Sequence, residues 1–76
     1  MINHNYVVSS NIDAIGYKDG DLYIRFKKNG LVYAYRKVSF ASFFSLLKSD
    51  SVGKFFNRFV KPFYTCEKLD EDPFAA

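Results

Sequence analysis

The chain of 76 residues carries a formal net charge of +3, and its single cysteine, Cys66, excludes an intramolecular disulfide. A chain of this length forms one small domain, and its nine Phe and six Tyr supply large side chains for a core without covalent support. No segment approaches the roughly 20 apolar residues that span a bilayer. The start of the chain also lacks the basic and apolar parts of a secretion signal, so we expect a cytoplasmic protein that does not enter a membrane.

The positive charge is concentrated in the body of the chain. The segment 67–72, EKLDED, contains four of the eight acidic residues, and the rest of the chain has ten Lys and Arg against four Asp, a balance of +6. A basic body favours anionic partners, of which nucleic acid is the commonest, although Lys and Arg also solubilise an aromatic-rich surface. The acidic segment either folds back on this body or is solvated.

Two turn signals divide the first half of the chain into three predicted strands. Asp19-Gly20 and Asn29-Gly30 favour tight hairpins, because both residues of each pair tolerate positive φ. The strand-like runs around them are 11–17, 22–27 and 31–38. The second run contains LYIRFK, whose alternation of apolar and polar residues is typical of a half-buried antiparallel strand. The sequence therefore predicts a three-stranded meander.

The direction of Tyr33 and Tyr35 depends on the register of the second hairpin. A two-residue turn at Asn29-Gly30 places both rings on the apolar face of LYIRFK, under the helices. A three-residue loop with Gly30 in a bulge places them on the opposite face, as a surface for stacking bases. We favour the two-residue turn, because it buries two large rings in a chain that is short of core.

The second half of the chain predicts two amphipathic helices. Ser39 caps the first, and Asp50 or Ser51 caps the second, which Pro62 ends. The apolar stripes are Phe40, Phe43, Phe44 and Leu47 in the first helix and Val52, Phe55, Phe56 and Phe59 in the second. Beyond Pro62 there is no clear period, and we expect the last few residues to be frayed. The predicted fold is α+β, a three-stranded antiparallel meander followed by two helices packed on one face (β-β-β-α-α).

Four ordered motifs carry a resemblance to a known family. They are Ser9-Ser10, Ile15-Gly16-Tyr17, Gly30-x-x-Tyr33-x-Tyr35 and Ser51-x-Gly53-x-x-Phe56-Asn57. Through these motifs the chain resembles the KTSC domain, a family of short domains at the C-terminus of some lysyl-tRNA synthetases and in free-standing bacterial and phage proteins. We expect one domain over 1–76, with its core at about 7–63 and an acidic, partly flexible tail at 65–76. The family is regarded as of unknown activity, and the link to a tRNA synthetase implies RNA binding.

Candidate contacts with nucleic acid combine basic and aromatic side chains. Single-stranded nucleic acid is bound by rings that stack on bases and by Lys or Arg side chains that contact phosphates. The candidates are Tyr23, Arg25, Lys27, Arg36, Lys54, Arg58 and Lys61. Ser9, Ser10 and Asn57 belong to the family motifs and are either ligand contacts or structural hydrogen-bonding groups.

We expect neither a catalytic nor a metal site, and no cofactor. No nucleophile or carboxylate motif pairs with His4, and one His with one Cys does not make a metal site. The expected function is non-enzymatic binding of RNA, of another single-stranded nucleic acid or of a nucleotide. The alternative is a protein-interaction module, such as a phage or bacterial modulator of a host factor. It would bind a host protein or a second copy through Phe63, Tyr64 and Phe74 or through an uncovered strand edge.

Overall fold

A computed structural model of the chain describes residues 4–7 and 9–74, with the exception of the side chain of His4. Five strands form one antiparallel sheet in sequential order, and the helices lie between the last two strands along the chain. The elements are β1 (His4–Tyr6), β2 (Ile12–Lys18), β3 (Asp21–Phe26), β4 (Val32–Tyr35), α1 (Phe40–Lys48), α2 (Val52–Phe55) with a π-helical continuation (Phe56–Val60), and β5 (Cys66–Lys68). The predicted α+β class is confirmed, but the three predicted strands are only the centre of a larger sheet.

The two strands that the sequence pattern missed are the edges of this sheet. β1 and β5 have three residues each, too few for an alternating pattern to show. β5 pairs with β4 through long-range backbone contacts. The Arg36 N–H donates to the Thr65 carbonyl at 3.0 Å and the Leu69 N–H donates to the Val32 carbonyl at 2.9 Å. These contacts follow from the fold rather than from a local hairpin signal.

Both predicted hairpins form, and the turn of the second differs from the prediction. Asp19 and Gly20 make the expected two-residue turn, with φ of 53° and 82°. In the second hairpin the Phe26 N–H donates to the Leu31 carbonyl at 3.0 Å, which leaves a four-residue loop at 27–30. The two-residue turn is therefore wrong. The longer loop has a local cause, because the Asn29 side chain accepts a hydrogen bond from the Leu31 N–H at 3.0 Å.

The register of the second hairpin nevertheless places the tyrosines as predicted. Tyr33 lies opposite Ile24 and Tyr35 opposite Leu22, two residues away from the favoured register. A shift by two residues preserves the face of every side chain, because side chains alternate with a period of two. Both rings therefore pack on the helix side of the sheet, where Tyr35 is buried and Tyr33 is half-buried.

Hydroxyl groups cap the two helices as predicted, whereas the apolar stripe of α1 is only partly right. The Ser39 hydroxyl accepts the N–H of Ser42 at 3.1 Å. Phe43 is buried and stacks on Tyr17 with ring centroids 4.9 Å apart, which turns Leu46 into the core. Two members of the predicted stripe, Phe40 and Phe44, are exposed as a result.

The stripe of the second helix is altered by its π-helical part. Ser51 caps the helix, and its hydroxyl accepts the N–H of Lys54 at 3.4 Å. Further along, the Lys61 N–H donates to the Phe56 carbonyl at 2.9 Å, five residues back, which is the hydrogen bond of a π-turn. Val60, four residues after Phe56, is buried in the same core. The side chains buried from this helix are Val52, Phe56 and Val60, and Phe59 is exposed.

The sheet is covered on both faces. The helices and one face of the sheet enclose the main core, which includes Leu22, Ile24 and Leu46. On the opposite face a smaller core contains Ala14, Val32 and Phe74, with Tyr23 and Leu69 packed against it. The acidic segment thus folds back on the sheet, so the outer side of β3 is not a solvated face.

Removal of the Phe74 ring tests the docking of the C-terminal segment. Phe74 is 4% exposed, so we expect Phe74→Ala to lower the free energy of unfolding by about 3 kcal/mol, the usual loss for a buried Phe. Phe63 is 71% exposed, and Phe63→Ala serves as a matched control with a change within about 0.5 kcal/mol. Urea denaturation gives both values, and equal midpoints for the two variants would contradict the docking.

Candidate nucleic-acid interface

Arg25 lies on the sheet face away from the helices and is enclosed by the chain itself. Its Nε donates to Asp13 at 2.7 Å and its Nη1 donates to Asp72 at 2.8 Å. The guanidinium carbon lies 5.9 Å from the ring centroid of Tyr6 and 5.5 Å from that of Phe74. The hydrogen bond that Arg25 donates to Asp72 raises the pKa of Arg25 by more than burial lowers it. Arg25, which the sequence predicted as a contact with nucleic acid, therefore keeps its positive charge, and Asp13 and Asp72 already neutralise that charge.

Arg36 and Tyr23 lie on the same sheet face. The Nη1 of Arg36 donates to Asp21 at 2.8 Å and the Nη2 donates to Glu67 at 2.6 Å. The hydrogen bond with Glu67 is the main cause that raises the pKa of Arg36. Tyr23 is half-buried against the smaller core. These two candidates are thus occupied with contacts inside the chain.

The other predicted cations lie on the opposite side of the molecule, around a groove. This basic groove runs between the start of β2, the 27–30 loop and the second helix. Its two parts have volumes of about 400 and 420 Å³ and share Asn11 and Asn57. We call the first part the polar end and the second the aromatic end. The charged residues that line the groove are Lys28, Lys54, Lys61 and Asp50.

Two further candidates lie near the groove without lining it. Lys27 is exposed in the 27–30 loop, and its N–H donates to the Asn11 carbonyl at 2.8 Å, which ties the loop to the start of β2. Arg58 is exposed on the π-helix, with its guanidinium carbon 5.9 Å from the centroid of the Phe59 ring. The predicted contacts with nucleic acid are thus divided between two faces of the molecule. Of these predicted contacts, Lys54 and Lys61 line the basic groove.

The polar end contains the motif residues Ser9, Ser10, Gly53 and Asn57. The Ser9 hydroxyl accepts two backbone N–H groups at 3.2 and 3.3 Å, which shapes the entry into β2. A Cβ at Gly53 would lie 3.2 Å from the Ser9 Oγ, so the glycine lets the Ser9 loop approach the helix. Asn57 is exposed and, within 4–7 and 9–74, its side-chain amide takes part in no hydrogen bond. Ser9 therefore has a structural role, whereas no such role appears for the Asn57 amide among the described residues.

The aromatic end is lined by Phe26, Tyr33, Tyr35 and Phe56. Three edge-to-face pairs join these rings, with centroids 5.7, 5.7 and 5.3 Å apart. Burial raises the pKa of Tyr35, and the neighbouring Cys66 thiol adds to the shift. The sequence pattern identified Tyr33 and Tyr35 as core residues, and it gave no sign that the same rings border a groove beside Lys28.

The described residues do not point to a metal centre. In 4–7 and 9–74, no group of three or more His, Cys, Asp or Glu side chains is placed to hold a metal ion. The side chain of His4, which the sequence offered as the only histidine, lies outside the described part. In the same part of the chain, no helix has the length and apolar character needed to cross a membrane.

Comparisons with known proteins relate the chain to one domain family. The family model of the KTSC domain matches residues 8–64. The crystal structure of a KTSC domain protein from Yersinia pestis is similar to this fold, with a TM-score of 0.84 and 31% sequence identity. That match covers 91% of this chain and 99% of the Yersinia pestis chain. No curated protein sequence matches the chain.

The buried phenol of Tyr35 predicts a loss of stability in alkali. A raised pKa in the fold means that the neutral phenol stabilises the protein below about pH 10, the ordinary pKa of tyrosine, and that this contribution falls as the pH rises further. Compared with Tyr35→Phe, the original chain should lose up to about 1.4 kcal/mol more unfolding free energy per pH unit above pH 10. Urea denaturation at a series of pH values measures both, and parallel curves would contradict the prediction.

Proposed function

The chain belongs to the KTSC domain family, and from this membership and the charge of the basic groove we propose that it binds single-stranded nucleic acid, RNA in particular, without catalysing a reaction. The observation that carries the proposal is the arrangement of Lys28, Lys54 and Lys61 around Asn57. Grooves that bind single strands combine cations along the backbone path with rings that contact bases. The basic groove contains both kinds of side chain.

The pairing of charges distinguishes this groove from the opposite face. Arg25 and Arg36 each bind two carboxylates. Among the described residues, no salt bridge involves Lys54 or Lys61, so their ammonium groups remain available for phosphates. A strand bound in the groove releases the counterions of its phosphates, which supplies most of the affinity at low salt.

The surroundings of the groove support binding rather than catalysis. The Ser9 hydroxyl is engaged by two backbone N–H groups, which serves the structure of the loop. Lysine and asparagine side chains bind phosphates and base edges without needing a proton acceptor beside them. The exposed thiol of Cys66 suits a reducing compartment, and we place the protein in the cytoplasm as part of the same proposal.

Two double variants, each with two lysines replaced by neutral glutamine, test the proposal. In Lys54→Gln/Lys61→Gln, two phosphate contacts are lost, and each contributes about 0.7 to the salt dependence of log K for single strands. We expect the slope for a labelled thymidine decamer to fall by about 1.4, with weaker binding at low salt. Fluorescence anisotropy at several salt concentrations gives both quantities.

The matched control is Lys18→Gln/Lys37→Gln. Both lysines are exposed and lie at the other end of the sheet, beside the Asp19-Gly20 turn. This variant has the same net charge as the groove variant and should bind nearly as the original chain does. An equal loss of affinity in both variants would show that net charge, and not the groove, causes the binding. No saturable binding at about 50 mM salt would refute the proposal, because counterion release is greatest there.

Exposed phenylalanines favour a second candidate function, the binding of a protein. Phe40, Phe44, Phe59 and Phe63 are 60%, 47%, 51% and 71% exposed, and all lie in or just after the helices. Exposed apolar surface of this kind is typical of interaction sites. Phe74 does not belong to it, because its ring is buried in the smaller core, and Tyr64 is half-buried.

The charges beside these rings indicate an acidic partner. The Lys48 Nζ lies 5.3 Å from the Phe44 ring centroid, and Arg58 lies over Phe59. A second copy would bring like charges together, whereas an amphipathic helix with Glu beside its apolar stripe would pair with them.

A synthetic peptide of that design tests the second candidate. We expect it to bind the original chain at least tenfold more tightly than it binds Arg58→Glu, and a peptide with Lys in place of Glu to show the reverse preference. Isothermal titration measures the affinities. Indifference to the peptide charge would refute an acidic partner, and a doubled mass in light scattering would indicate a second copy instead.

A further inference from the structure

The aromatic end of the basic groove has the size of a small-molecule site. Its volume of about 420 Å³ lies within the range of about 300–1,000 Å³ that ligand pockets occupy. Four rings line it, and two of them, Phe26 and Tyr33, are half-buried, so part of each ring is open to solvent. A flat apolar ligand would cover this exposed ring surface.

Side-chain amides lie around the same rings. Asn11, Asn29 and Asn57 all line the aromatic end. The Asn29 carbonyl oxygen already accepts the Leu31 N–H at 3.0 Å, which fixes the amide and leaves its NH₂ group to donate elsewhere. An amide both donates and accepts, which suits the edge of a nucleobase, where donors and acceptors alternate.

The charge at this end suits an anionic ligand. Lys28 and Lys61 border the rings, and the described residues that line the aromatic end include no carboxylate. Asp50, the acidic residue of the groove, lines the polar end instead. Rings, amides and cations are thus combined in one pocket, as the base and phosphate of a nucleotide require.

The 27–30 loop holds one wall of the pocket in place before any ligand binds. The Gly30 N–H donates to the Phe26 carbonyl at 2.9 Å, and Gly30 has a φ of 70°, which favours glycine. The Lys27 N–H bond to the Asn11 carbonyl ties the same loop to β2. A wall held by these two backbone hydrogen bonds loses little conformational freedom on binding.

We propose that the aromatic end binds one unstacked nucleobase of the strand, with its ring against Phe26 and Tyr33, its edge on the asparagine amides and the adjoining phosphates on Lys28 and Lys61. This inference rests on the proposed function, because the base arrives as part of a strand held in the basic groove. It adds that the strand is recognised through a base as well as through its charge.

An abasic strand separates the two proposals. A thymidine decamer should bind the original chain about tenfold more tightly than a decamer of abasic tetrahydrofuran units, a ratio within the contribution of one stacked base. The two decamers have the same phosphates, so their salt dependences should agree. Equal affinities with a steep salt dependence would refute the base pocket and leave the groove proposal standing. Absence of binding by both would refute both.

A variant of an exposed side chain completes the test without risk to the fold. Asn57→Ala leaves every lysine in place, and it should weaken binding of the thymidine decamer several-fold while leaving the abasic decamer unaffected. Asn5→Ala, an exposed asparagine on the edge strand β1, is the control and should change neither. Nuclear magnetic resonance locates the contact, because thymidine monophosphate should shift the side-chain amide signal of Asn29 and ribose 5-phosphate should not. Equal shifts with both, or an Asn57→Ala effect on both decamers, would refute the base pocket.

Discussion

Arg25 is held between two carboxylates and two rings, and the path of the C-terminal segment depends on this contact. Its side chain is 17% exposed, and a cation so far removed from water needs partners for its charge. Asp13 comes from the irregular start of β2, and Asp72 comes from the segment after β5. Phe74 follows two residues later, where its N–H donates to the Asp72 carboxylate at 2.8 Å and its ring is buried. One cation thereby fixes the segment on the sheet.

The docking of the C-terminal segment on the outer face of the sheet decides which side of the molecule is open to an anion. A strand placed on the outer sheet face would compete with Asp72 and Glu67 for guanidinium groups that they already bind at 2.8 and 2.6 Å. Such pairs carry charge-assisted hydrogen bonds, which are stronger than neutral ones. In the basic groove, Lys54 and Lys61 offer their charge without that competition from the described chain. The charge of the whole chain is thus less informative than the pairing of each cation.

Local sequence signals predicted the elements that local interactions determine. The alternation around Ile24, the Asp19-Gly20 turn and the hydroxyl caps of Ser39 and Ser51 depend on near neighbours, and all of them form. The α+β class and the helix-side position of the tyrosines follow from the same signals.

Features that depend on distant contacts did not show in the sequence. Arg25 and Asp72 are 47 residues apart, and no pattern marks them as a pair. β5 has an exposed polar sequence and forms because β4 offers it backbone partners. The four-residue loop was missed because the Asn29 side chain competes with the turn that Asn-Gly favours. Of the residues that line the groove, the sequence predicted as candidates Lys54, Lys61 and the polar motif residues Ser9, Ser10 and Asn57. It did not predict the aromatic end, because that end forms only when the 27–30 loop binds the start of β2.

The π-turn and the close approach of Ser9 at Gly53 together explain how the motif residues Ser9, Ser10, Gly53 and Asn57 come to line one groove. The contact of Ser9 with Gly53 fixes the N-terminal turn of the second helix against the entry into β2. One turn later the π-helix adds a residue to the turn, so Phe56 remains in the core while Asn57 stays exposed at the junction of the two ends of the groove. π-turns interrupt the regular hydrogen bonding of an α-helix and occur often at functional sites. In a regular helix Phe59 and Val60 would both lie on the side of Phe56, whereas the π-turn leaves only Val60 buried and brings Lys61, five residues after Phe56, to the aromatic end that Phe56 also lines.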